Sequence, residues 1–182
     1  MAINVTAVEN ALYDFVYSAS GNKTTVWAFQ NMPQQDDPRA NAYCELSIGN
    51  LARIGVDFQD RPDPTTLQNK ITGNREFVLT VNVRGPNALG IAEDIRTALQ
   101  KFDVLETLRA AGIVYVNDMP IQNLTGLEAT EFVPRHMLEI VFRIASVPTA
   151  AAGAIEHVEG TGEYYKNGTK VLEEDLEINP IP

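Results

Sequence analysis

The chain has 182 residues, 45% of them apolar, with a single cysteine and a net charge of −10 at pH 7. That length supports a domain with a real core, while the acidity argues against a binding mode in which Lys and Arg neutralise phosphates. Cys44, being alone, cannot form a disulfide within the chain, and no apolar run approaches the roughly 18 residues of a membrane span.

The first eleven residues carry Glu9 and no basic start, so no secretory signal is read and synthesis in a cytoplasm is expected. Thr6-x-x-Glu9 has the form of a capping box. Val5, Val8, Leu12, Phe15 and Val16 follow at helical spacing, and Gly21 offers a left-handed stop. Lys23 to Phe29 is rich in β-formers and reads as a strand, with Trp27 and Phe29 as core or interface residues. Pro33 and Pro38 bracket a polar loop. Tyr43 to Phe58 reads as a long strand or a bent pair, with a bulge at Gly49-Asn50. Cys44 lies inside that pattern and reads as a small buried hydrophobe. Gln59 to Lys70, with Pro62 and Pro64, reads as a second polar loop and a candidate binding element.

Thr72 to Phe102 is the strongest local signal. Phe77, Leu79, Val81 and Val83 alternate with polar residues, predicting a half-buried strand. Ala88, Ile91, Ala92, Ile95, Leu99 and Phe102 then recur at helical spacing. The connection, Arg84-Gly85-Pro86-Asn87, has no Gly-rich phosphate cradle, no Lys-Ser/Thr pair and no nucleophilic serine elbow. Asp103-x-x-Glu106 opens a short helix from Val104 to Ala111, stopped by Gly112. Ile113 to Val116 reads as a short strand, and Asn117 to Thr130 as irregular. Glu131 to Ser146 is a second strong strand, with His136, Leu138, Ile140, Phe142 and Ile144 on one face.

The remainder differs in character. Ala150 to Ala154 is small and flexible in composition, and Ile155 to Glu159 is a candidate strand. Asn167-Gly168 is a strong short-range hairpin signal. Residues 147–182 carry Lys166 and Lys170 against seven carboxylates, a balance of −5, so half of the excess charge lies in the last fifth of the chain. That charge serves solubility or provides a surface that nucleic acid passes without sticking. These elements predict an α+β fold: a mixed, mainly antiparallel sheet with helices on one face. Residues 1–160 form the domain, and residues 161–182 a C-terminal hairpin and acidic tail.

The reactive groups do not assemble into a site. His136 and His157 have no partner at metal-ligand spacing. His136 lies on the apolar side of its strand and is expected to be partly buried and hydrogen-bonded. Asp36-Asp37 and Glu173-Glu174-Asp175 read as solvated carboxylates, because no cation-binding loop surrounds them. No catalytic, cofactor or metal residue is assigned. Arg75, Arg84 and Arg135 are candidates for contacts across strands or subunits. Tyr164 and Tyr165, beside the Asn-Gly turn, read equally as partner anchors and as packing within the hairpin.

Several segments together resemble the tail terminator, or neck terminator, proteins of tailed phages. They are Val26-Trp-Ala-Phe-Gln-Asn31, the Pro-bounded loop, Ala42 to Ile48, Thr72 to Val83, Gly85-x-x-Ala88 and Pro134 to Phe142. The resemblance spans about residues 6–160. It implies an α+β fold and a virion structural protein without catalytic residues or cofactors. It further implies a homo-oligomeric ring, a hexamer, at the head-proximal end of the tail. The implied partners are the tail tube protein, the sheath protein in contractile tails and the neck or connector protein, with genomic DNA passing through the lumen. Another head–tail connector or tail-completion protein is the alternative within that class. A small cytoplasmic α+β enzyme or ligand-binding protein, with a deep polar pocket near Cys44 or His136, is the alternative outside it.

Overall fold

The computed structural model describes residues 3–28, 40–61, 68–128, 131–147, 149–151, 158–166 and 169–178. The chain divides into two compact units, residues 1–58 with 72–148, and residues 59–71 with 149–182.

In the first unit, α1 (Val5–Ala19) leads into β1 (Thr24–Trp27) and β2 (Tyr43–Gln59). Asn4 caps α1 by accepting the Ala7 N–H at 3.2 Å, so the expected Thr6–Glu9 capping box does not form and Thr6 lies inside the helix. Val5, counted on the apolar face, sits in the first turn and is exposed, while Val8, Leu12, Phe15 and Val16 are buried. Gly21 and Asn22, both at positive φ, turn the chain into β1. Trp27, partly buried, packs against the core.

β3 (Gln68–Arg84) feeds α2 (Ala88–Ala98), then α3 (Phe102–Ala110), β4 (Ile113–Asp118), β5 (Gln122–Asn123), β6 (Gly126–Glu128), β7 (Glu131–Val133) and β8 (Arg135–Ser146). The main sheet runs β1-β2-β3-β8-β4. β1 lies parallel to β2, whereas β3, β4 and β5 are antiparallel to β8. It is therefore a mixed, mainly antiparallel α+β sheet.

The β3–β8 ladder carries the core. Phe77, Leu79, Val81 and Val83 stand opposite Phe142, Ile140, Leu138 and His136. The apolar members of these pairs pack in one cluster with Leu12, Val16, Ile91, Ile95 and Leu108 from the three helices. Each such side chain, once buried, contributes roughly 1.5–3 kcal/mol. Phe142 is fully buried, with the rings of Phe77 and Tyr115 at 5.8 and 6.3 Å.

Several boundaries depart from the sequence reading. Phe102 does not close the second helix: α2 stops at Ala98, and Phe102 opens α3 and is exposed. Lys101 holds the cap position of α3 without a side-chain bond, and Asp103 lies in the first turn. The segment read as a loop from Gln59 to Lys70 is shorter than expected, because β2 reaches Gln59 and β3 begins at Gln68. Asn117 to Thr130, read as irregular, contains the end of β4 together with β5 and β6. Tertiary pairing explains this: Met119 N–H donates to Glu139 O, and Leu124 N–H to Arg135 O, both at 2.8 Å, so the stretch around β5 follows the edge of β8, while β6 pairs with β7. Glu131 to Ser146 is two strands divided at Pro134, which lacks an N–H. The Pro134 carbonyl instead accepts the Gly85 N–H at 2.9 Å. His136 is partly buried as expected, but its buried Nδ1 meets no hydrogen-bond partner among the described residues.

In the second unit, β9 (Thr149–Ala151) pairs with Gln68 to Lys70 of β3, where only flexible chain was expected. β10 (Val158–Lys166) and β11 (Thr169–Ile178) form an antiparallel pair from Val158–Ile178 to Lys166–Thr169, with a register shift between Tyr164 and Tyr165. Val158 and Glu159, from the candidate strand after Ala154, open β10. The Asn167-Gly168 turn, the Asp36-Asp37 loop and His157 lie outside the described residues.

Candidate functional site

The strand alternation that fills the core leaves polar residues on the opposite sheet face. Glu76 stands across from Arg143, whose Nε donates to Glu76 Oε2 at 2.9 Å. At the end of the same ladder Arg84 stands directly across from Arg135. Two cations in that position repel. Each leans on a different neighbour: Arg84 Nη2 lies 3.7 Å from Glu45 Oε2, and Arg135 Nη2 donates to Asn82 Oδ1 at 3.3 Å.

Arg75 is also held within the chain. Its two Nη atoms donate to the two carboxylate oxygens of Asp57 at 2.7 and 2.9 Å. The hydrogen bonds from Arg75 hold the Asp57 carboxyl below its ordinary value, and Asp57 in turn raises Arg75. All three candidate arginines are thus tied to partners on β2 or β3. Tyr164 and Tyr165 stand opposite Leu172 and Lys170 in the β10–β11 ladder.

Sequence reasoning placed the long strand β2 but did not single out the exposed apolar side chains of its distal half. Past Leu46 the strand carries Leu51, Val56 and Phe58, which are 63%, 87% and 66% exposed. Asn50 and Gly55 take positive φ within this ribbon, Asn50 at the position where a bulge was expected. Apolar residues on both phases of the alternation between Leu51 and Phe58 were the available signal.

It also missed a cleft of about 660 Å3 between α1, α2 and α3. Phe15, Ala98 and Leu108 are buried and line it, while Asp14, Asp94, Lys101 and Asp103 are exposed at its edge. The cleft touches neither Cys44 nor His136, where the enzyme alternative would place a pocket. Cys44 is fully buried, and burial pushes its thiol up to about 11. Among the described residues no three His, Cys, Asp or Glu side chains converge as metal ligands.

A family model described as phage neck terminator protein matches residues 6–169. The chain belongs to the phage neck terminator family. It is therefore a structural protein of the phage tail and neck, and its place is in the virion. Comparison with curated proteins returns no match. No helix among the described residues is long and apolar enough to cross a membrane.

Proposed function

We propose that this neck terminator is the subunit of a homomeric ring, a hexamer, that caps the head-proximal end of the tail tube. There it stops polymerisation of the tube, and of the sheath in a contractile tail, and joins the tail to the neck or connector protein. The supporting observation is the exposed apolar ribbon of β2 on a protein of this family. Leu51, Val56 and Phe58 stand exposed within eight residues of one strand, and clusters of exposed apolar side chains mark interaction sites. The net charge of −10 suits a wall past which DNA moves without binding.

Under this reading Tyr164 and Tyr165 are partner anchors on the β10–β11 pair. Arg75, Arg84 and Arg135 shape the contact surfaces while remaining bonded in the chain. The domain of residues 1–160 forms the ring, and residues 161–182 contribute to assembly without being needed for its fold. The test is tail assembly without the protein. Tubes of uncontrolled length that fail to join heads are expected. Tubes of normal length joined to heads would contradict the proposal.

A further inference from the structure

A ring of identical subunits closes through a heterologous contact, in which two different patches of one chain meet on neighbouring copies. Resting on the ring reading above, we propose that the β2 ribbon of one copy seats in the three-helix cleft of the next. Both patches belong to the first unit.

The two surfaces are complementary in apolar character and in charge. On the ribbon, Leu51, Val56 and Phe58 are exposed to solvent. The cleft is concave, and its buried lining includes Phe15 and Leu108. Its volume falls in the roughly 300–1,000 Å3 range that encloses a few side chains or a small ligand.

The charges are opposite. On the ribbon, the single negative charge of Asp57 faces two guanidiniums, Arg75 at 2.7 Å and Arg53 at 3.8 Å, leaving a net charge of +1. Arg53 is the more exposed of the two, so it can reach a second carboxylate. At the cleft, Asp14, Asp94 and Asp103 stand against Lys101 alone, a net charge of −2. The positive ribbon is therefore attracted to the acidic edge of the cleft, and charge of this kind helps fix register. The side chain of Arg53 is oriented by its own Nε bond to Gly55 O at 3.1 Å.

Cross-linking between copies tests this directly. Val56→Cys and Thr97→Cys are made separately, since Thr97 lines the cleft and is exposed. Cys44 is buried and stays inert. The two variants are mixed with a short bismaleimide. Covalent pairs that form only in the mixture are expected, together with a ladder of multimers in the double variant. A second arm uses Val56→Asp and Phe58→Asp, with circular dichroism confirming the fold. A drop of at least tenfold in the multimeric fraction by native mass spectrometry is expected. A multimer that survives both substitutions and gives no cross-link overturns the ribbon–cleft contact and leaves the ring intact. A wild-type chain that is monomeric at every concentration and gives no cross-link overturns both.

Discussion

Arg75 grips Asp57 with both of its terminal nitrogens, at 2.7 and 2.9 Å, across 18 positions of chain. The pair ties β2 to β3 near the distal end of β2, and Gly73 makes room for it. A Cβ at position 73 would run into the Asp57 carboxylate. A bidentate arginine–carboxylate contact of this kind is among the better-defined ion pairs, because two parallel bonds fix its geometry.

That pair makes the ribbon acid-sensitive. The folded-state value of Asp57 lies below the ordinary 3.8, so its contribution is fully present above about pH 4 and is lost as pH falls through the lowered value. Amide exchange of residues 50–58 should be slow at pH 5–7 and accelerate beyond the intrinsic pH trend at lower pH. Asp57→Asn should show fast exchange already at pH 7 and no such acid step. An acid step of equal size in Asp57→Asn would show that another group is responsible.

The β3–β8 core should be intolerant of truncation. Phe142 is fully buried and touches two aromatic rings. Phe142→Ala should lower unfolding free energy in urea by about 3–5 kcal/mol, through lost burial and the cavity left behind. Leu89→Ala, at an exposed position of α2, should change it by less than about 0.5 kcal/mol.

Cys44 should be silent to thiol reagents in the folded protein. With its thiol pushed up to about 11 and no solvent access, the thiolate fraction at pH 7 is on the order of 10⁻⁴. Native protein should take up no label over hours, and unfolded protein one label per chain. Rapid labelling of the native state would mean that β2 opens readily near its start.

The β10–β11 register sets Glu163 opposite Glu173 and Glu159 opposite Glu177. Like charges directly opposite one another destabilise an antiparallel pair. Glu173→Lys should therefore stabilise this ladder by roughly 0.2–1 kcal/mol. The readout is slower amide exchange in residues 158–178 with no change in the first unit.

The strands β3 and β8 were legible because each buries one face, which writes a period of two into the sequence. Cys44 was legible for the same reason. The helix start was not. Thr6-x-x-Glu9 fits a capping box, but Asn4 stands two positions earlier and caps first. The short strands β5 and β6 leave no signal of their own, because pairing creates them, β5 with β8 and β6 with β7. The cleft was invisible for a different reason: Asp14, Asp94 and Asp103 come from three helices and share no spacing. Arg75, Arg84 and Arg135 were singled out as candidates for contacts across strands or subunits, and all three lie on β3 or β8. Their intrachain partners Asp57, Glu45 and Asn82 depend on strand register and could not be read in advance.

The central claim is the ring, and native mass spectrometry of the purified protein tests it most directly. Six copies of the 20.0 kDa chain predict a species of about 120 kDa. Electron micrographs of the same sample should show closed rings with an open centre. A single-chain mass at every concentration, with no rings and no binding to tail tubes, would contradict the account.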